Sequence, residues 1–178
     1  VENVDDIQHP VVREILKKFN VTGALEISSN ADIPAGTGLG SSSSFAVNLL
    51  LNSNIRYRKL VSKKVLAEDA CDIEITKLGE PIGKQDQYAT AFGGLNKISF
   101  LPTGEVTVEP VFIKKVTYQT LQDNLLMFYT GDQRSASAIL EDQRQSTHHS
   151  SKIKTLIKMT ELVDQLRDSL YQDNLSDF

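Results

Sequence analysis

Pro34-Ala35-Gly36-Thr37-Gly38-Leu39-Gly40-Ser41-Ser42-Ser43-Ser44 sets glycines at three alternate positions and follows them with four hydroxyls. It runs directly into the apolar stretch Phe45, Ala46, Val47, Leu49, Leu50 and Leu51. Glycines allow tight turns and close approach of backbone to a ligand. A helix that begins immediately after them has unpaired N–H groups and the positive end of its dipole at that point, which together make an anion site. The stretch therefore reads as a phosphate cradle opening a helix. A plain glycine turn capped by serines is the alternative, although one hydroxyl is enough for an N-cap.

Two common phosphate motifs are excluded. The third glycine comes one position early for G-x-G-x-x-G, and Gly40 is followed by Ser41 where the P-loop pattern needs Lys.

Working outward, His9-Pro10 introduces a helix over Val11–Phe19 with Val12, Ile15, Leu16 and Phe19 on one face. Leu25 and Ile27 alternate with polar or small residues, predicting a strand that ends near Asp32-Ile33-Pro34. The glycine turn leads into a helix from about Ser42 to Tyr57. Ser62 caps another over Lys63–Leu78, with Val65, Leu66, Ala70, Ile73 and Leu78 inward and Gly79 as its stop. Asp86 heads a short helix that ends at Gly93-Gly94. Leu95–Phe100 and Val106–Ile113, joined through Pro102-Thr103-Gly104, predict a hairpin. Asn124–Tyr129 reads as a buried strand and Arg134–Gln145 as a helix. Lys152–Leu170 carries Ile153, Leu156, Ile157, Val163, Leu166 and Leu170 on one stripe that reads as core. The mixture indicates an α+β fold.

The 178 residues suit one domain, or one plus part of another. With 40% apolar residues a core is attainable, and the net charge of −4 argues against nucleic acid or an acidic membrane as partner. Cys71 is the single cysteine, so neither a disulfide framework nor a zinc site is expected, and it reads as a buried free thiol. No apolar run is long enough to span a membrane, and a cytoplasmic protein is the default expectation.

Three blocks carry a family resemblance. Pro34 to Ser44 resembles the P-x-x-x-G-L-G-S-S signature of the GHMP kinases, which phosphorylate small metabolites. Glu80-Pro81-Ile82-Gly83-Lys84-Gln85-Asp86-Gln87-Tyr88-Ala89, running on to Gly93-Gly94-Leu95-Asn96, resembles the family segment with an Asp before a short helix and a Gly-Gly turn. Phe128 to Ala136, reading F-Y-T-G-x-x-R-S-A, together with G-K-Q-D-Q-Y-A, looks most like the branch acting on heptose 7-phosphates.

The resemblance implies the family's N-terminal lobe, of the ribosomal protein S5 domain 2-like type, over residues 1–146. The start of a ferredoxin-like C-terminal lobe would follow over 147–178. It also implies that the chain is an internal fragment, because the family's opening strand segment and its late glycine-rich loop have no match. The implied activity is ATP-dependent phosphorylation of the anomeric hydroxyl of D-glycero-D-manno-heptose 7-phosphate, giving the 1,7-bisphosphate for nucleotide-activated heptose. A kinase for a fucose- or galactose-type sugar, or a non-catalytic nucleotide- or sugar-binding fragment, are the alternatives. ATP and Mg²⁺ are the implied cofactors, a sugar phosphate the partner molecule, and a homodimer the assembly to look for.

Phosphoryl transfer requires phosphates to be held, their charge to be neutralised and the acceptor hydroxyl to be positioned. Pro34, Gly36, Gly38, Leu39, Gly40, Ser41, Ser42 and Ser43 are the candidates for the first task. Magnesium takes few protein ligands, all hard oxygens, and by the resemblance these are Ser42 and Glu74; a solvated helix carboxylate is the alternative for Glu74. Asp86 is the candidate base, ionised at neutral pH, with a mere helix cap as its alternative. Lys84, Gln85, Gln87 and Tyr88 offer polar contacts suited to a sugar, or ordinary surface hydrogen bonds. Arg134 would suit a second phosphate on the substrate, or is a surface cation at a helix start. His148 and His149 read as solvated loop residues.

Overall fold

The computed structural model describes residues 1–33, 37–129 and 150–178, the side chains of residues 150 and 151 excepted. The described residues divide into two compact units, one over Val1–Gly93 and one beginning at Gly94.

The first unit is helical. Helix α1 (Pro10–Lys18) starts with Pro10 in its first turn, where the missing N–H is no loss. Helix α2 (Ser41–Arg56) follows the glycine turn. Helix α3 (Lys63–Cys71) is capped by Ser62, whose Oγ accepts from the Val65 N–H at 3.2 Å. It continues through Asp72–Lys77 as a π-helical turn, in which the Leu78 N–H bonds back to the Ile73 carbonyl at 3.1 Å. Helix α4 (Gln85–Phe92) closes the unit, and Lys63 Nζ donates to its Phe92 carbonyl at 2.5 Å.

Val11 and Ile15 of α1 meet Ala46, Val47 and Leu50 of α2, Leu66 and Ala70 of α3, and Ile73 of the π turn in one core. Lys18 and Asp69 pair at 2.9 Å between α1 and α3. The four helices thus form within a residue or two of where the sequence places them. Val65, expected inward, is exposed.

The strand expected at Leu25–Ser29 does not form. The segment is irregular and Leu25 and Ile27 are exposed. A strand exists only by pairing, and among the described residues sheet pairing is confined to one hairpin elsewhere.

That hairpin belongs to the second unit. Strands β1 (Asn96–Phe100) and β2 (Val106–Pro110) run antiparallel, from Asn96 opposite Pro110 to Phe100 opposite Val106. Their turn is closed by bonds from the Leu101 N–H to the Glu105 carbonyl and from the Gly104 N–H to the Leu101 carbonyl, both 2.9 Å. Helix α5 (Lys115–Asp123) follows, then α6 (Ser150–Tyr171). Lys97 pairs with Asp164 at 2.5 Å, tying β1 to α6, and Thr117 and Lys114 both bond Asp173.

Two expectations are corrected in this unit. Asn124–Tyr129 is not a buried strand; Asn124 caps the end of α5, and Leu125–Tyr129 lack regular structure and are 64–81% exposed. The α6 stripe is not core along its length, since Leu170 is buried while Ile153, Leu156, Ile157 and Val163 are exposed. The helices and the hairpin together bear out the α+β class. The expected domain boundary between 146 and 147 and the helix expected over Arg134–Gln145 lie outside the described residues, as do Pro34, Gly36, Arg134, His148 and His149.

Candidate active site

Gly40 is the N-cap of α2 and has φ +66°, in the left-handed region that residues with a Cβ rarely adopt. Its carbonyl accepts the first helical bond, from the Ser44 N–H at 2.9 Å. The amides of Ser41, Ser42 and Ser43 therefore sit in the first turn, outside the helix's own ladder, with the positive end of the dipole.

The N-cap, being glycine, makes no side-chain bond to this end. Two of the serine hydroxyls are instead directed onto Glu74. Ser42 Oγ donates to Glu74 Oε1 at 2.6 Å, and Ser43 Oγ to Glu74 Oε2 at 2.9 Å. A third donor, Gln87 Nε2 from α4, reaches Glu74 Oε2 at 2.7 Å. The serine run is therefore more than a cap, and Glu74 is not a solvated carboxylate, being 2% exposed.

The π turn explains how this happens. It fits an extra residue into the last turn of α3, so that two consecutive residues point inward, Ile73 into the core and Glu74 toward the start of α2. Such turns recur at functional sites. Each hydrogen bond into the carboxylate is worth roughly 1.5–3 kcal/mol where charge is involved.

Asp86 stands in the first turn of α4 and is exposed. The N-cap of that helix is Lys84, without a side-chain cap bond, so Asp86 is not the capping residue. Its carboxylate lies against the glycine turn: a Cβ added at Gly40 would fall 3.3 Å from Asp86 Cγ and 3.4 Å from Oδ2. Glycine at 40 thus supplies the backbone conformation and the space into which Asp86 fits.

The turn, the Ser42–Glu74 pair and Asp86 therefore meet at one end of α2. Lys84 and Gln85 are exposed beside Asp86 in sequence, whereas Gln87 and Tyr88 are buried. Tyr88 stacks on Phe92, with ring centroids 6.2 Å apart, and burial raises the pKa of its phenol. Cys71 is also buried, and burial pushes its thiol up to about 11, as suits an inert packing residue. Thr37, Gly38, Leu39 and Ser41 complete the described part of the turn. Leu39 and Ser41 also border a cleft of about 640 Å³ between the segment Leu25–Ile33 and the outer side of α2, where Phe45, Asn48, Asn52 and Arg56 line it.

The donor set fits a hard divalent cation. Glu74 is a buried carboxylate that receives three neutral donors. An exposed residue, Ser42, supplies one of them. Burying a carboxylate is costly, and a metal beside Ser42 and Glu74 would supply countercharge. Among the described residues no three acids, histidines or cysteines gather as a protein-only metal cage. One carboxylate and one hydroxyl suit magnesium, which keeps water and phosphate oxygens as its other ligands.

Residues 7–94 match the family profile described as GHMP kinases N terminal domain. This range contains the described turn, Glu74 and Asp86 alike. Residues 7–94 are a GHMP kinase N-terminal domain.

Similar proteins extend beyond that domain. D-glycero-alpha-D-manno-heptose 7-phosphate kinase of Campylobacter jejuni is 26% identical over 168 residues, covering 94% of this chain and 50% of the relative. Galactokinase of Pyrococcus furiosus is 33% identical over 135 residues, covering 74% and 36%. The crystal structure of a D-glycero-D-manno-heptose 1-phosphate kinase from Bacteriodes thetaiotaomicron superposes with a TM-score of 0.63 at 27% identity, over 94% of this chain and 49% of that one. The chain thus spans half or less of the length of these relatives. The GHMP kinase resemblance read from the motifs is borne out, and the fold agrees with it. Among the described residues no helix is long and apolar enough to cross a membrane.

Missing from the sequence reading were the donor roles of Ser43 and Gln87. The adjacency of Ser43 to Ser42 was the only available signal for the first. Nothing in the linear order points Gln87 at Glu74.

Proposed function

We propose that this chain carries the phosphate-holding and proton-accepting parts of an ATP-dependent kinase for a small hydroxylated metabolite. The observation that carries this is the contact of the Asp86 carboxylate with Gly40, on the turn whose serines hold Glu74. ATP's phosphates lie on the amides at the start of α2, where N–H groups and dipole favour anions. Ser42 and Glu74 hold Mg²⁺, which when bound neutralises charge on the phosphates. Asp86 accepts the proton of the acceptor hydroxyl as its oxygen bonds to the γ-phosphorus and the bond to the β–γ bridging oxygen breaks. Lys84 and Gln85, exposed beside Asp86, contact the acceptor.

The acceptor we propose is D-glycero-D-manno-heptose 7-phosphate at its anomeric hydroxyl, giving the 1,7-bisphosphate. Its support is coverage: the two heptose phosphate kinases align with 94% of this chain, the galactokinase with 74%. The higher identity of the galactokinase, 33%, favours a second reading in which the acceptor is an unphosphorylated sugar. A panel of acceptors assayed with the intact protein and Mg·ATP separates the two. The heptose reading expects the highest kcat/KM with heptose 7-phosphate; a preference for galactose or fucose overturns it. Failure of every hydroxylated acceptor overturns the kinase reading itself.

A further inference from the structure

Gln87 is 0% exposed and is one of the largest side chains buried completely. Its Nε2 donates to Glu74 Oε2 at 2.7 Å. Its Oε1 is the one buried side-chain oxygen or nitrogen without a hydrogen-bond partner among the described residues. A buried amide carbonyl left unpaired is unfavourable, and a native protein retains one only where something else fixes the group. Here the fixing element is visible. Turning the amide over would aim Oε1 at Glu74 Oε2, two acceptors facing each other, so the orientation that satisfies the carboxylate is the one that leaves Oε1 alone.

We infer that Gln87 is a positioning residue for the metal-binding carboxylate rather than a contact to the acceptor. With Ser43 it saturates Oε2, the inner oxygen of Glu74. That leaves Oε1, joined to the exposed hydroxyl of Ser42, as the oxygen with lone pairs free for a cation. Gln87 follows Asp86 directly in α4, and successive helical residues diverge by about 100°. The same helical turn therefore sends Asp86 to the surface against Gly40 and Gln87 inward onto Glu74. This fixes the separation between the proton acceptor and the metal ligand. Partners of this kind, standing behind a metal ligand, typically change metal affinity by about 10–100-fold when removed.

The inference rests on Ser42 and Glu74 as cation ligands, and its test tells the two apart. Mn²⁺ binding to the intact protein is measured by electron paramagnetic resonance with a non-hydrolysable ATP analogue, beside steady-state kinetics with Mg²⁺. Gln87→Met keeps the buried volume and removes the donor. The expected result is a Mn²⁺ dissociation constant raised about 10-fold or more, with the acceptor KM within about 2-fold and the melting temperature retained. Should Gln87→Met fold poorly, Ser43→Ala removes the other donor to the same oxygen and is expected to move the Mn²⁺ constant in the same direction. An unchanged Mn²⁺ constant in both variants overturns the inference, as does an acceptor KM that rises alone. Glu74→Gln is the reference. If it weakens Mn²⁺ binding while Gln87→Met does not, only the role of Gln87 falls; if it leaves binding intact, the metal assignment falls as well.

Discussion

Replacing Gly40 by alanine tests the contact on which the proposed site turns. Two penalties follow from the geometry. At φ +66° a Cβ costs roughly 1–2 kcal/mol, the left-handed penalty of an L-residue. For a chain of this size that lowers the melting temperature by about 2–8 °C. The second penalty is local. The new Cβ would sit 3.3 Å from Asp86 Cγ, inside ordinary carbon–carbon contact, so the Asp86 carboxylate retreats by about a few tenths of an ångström. A catalytic group displaced by 1 Å costs about 10²-fold; scaled to that retreat, kcat falls roughly 3–10-fold. Gly79, outside the turn, supplies an internal reference. Its φ of +70° imposes the same backbone penalty, yet nothing lies within 4 Å of a Cβ built there. Both variants would be melted and assayed for ADP release at saturating ATP and acceptor. The expected outcome is a similar loss of stability in both and a further loss of kcat in Gly40→Ala alone. Equal kcat in the two variants refutes the reasoning, because the Asp86 contact would then make no difference to transfer.

Other perturbations follow from the same geometry. Asp86→Asn removes the proposed proton acceptor at little steric cost; kcat is expected to fall about 10²–10⁴-fold while calorimetry gives an ATP affinity near wild type, and normal turnover would remove Asp86 from the chemistry. Leu50 is fully buried in the core shared by the first four helices, so Leu50→Ala is expected to cost about 2–5 kcal/mol in urea unfolding. Burial raises the Cys71 thiol from 9.0 to about 11, because the folded state disfavours its ionised form. Its contribution to stability is therefore complete below about pH 9 and is lost as pH climbs toward 11. Cys71→Ala should flatten that part of a stability-against-pH curve, and an unchanged slope would contradict the assignment.

Local features were legible in the sequence because their causes are local. The glycine turn, the Ser62 cap, the proline at the start of α1, the apolar spacing of α1 and α3 and the Gly93-Gly94 stop of α4 each act within a few residues. The β1–β2 hairpin is readable for the same reason, its turn lying between two short β-prone runs. Leu25–Ser29 and Leu125–Tyr129 carry strand-like composition, but a strand needs a neighbour, and no such pairing exists for either among the described residues. Helix α5 was hidden by Val116, Thr117, Tyr118 and Thr120, residues that favour strands in isolation.

The site divides along the same line. Ser42, Glu74 and Asp86 are implied by the family resemblance and not by local chemistry alone. From the sequence Gln87 offers a polar contact suited to a sugar, whereas in the fold it is buried on Glu74. Its burial depends on how α4 packs against α2 and α3, which no local pattern encodes. The π turn that directs Glu74 leaves no mark in composition.

A crystal structure of the intact protein with Mg²⁺ and a non-hydrolysable ATP analogue tests the central claim most directly. The account predicts phosphate oxygens on the amides of Gly38 to Ser43. It also predicts Mg²⁺ about 2.0–2.1 Å from Ser42 Oγ and a Glu74 oxygen, with Asp86 facing the γ-phosphate. Phosphates bound away from the start of α2, or a metal ion that touches neither Ser42 nor Glu74, would contradict it.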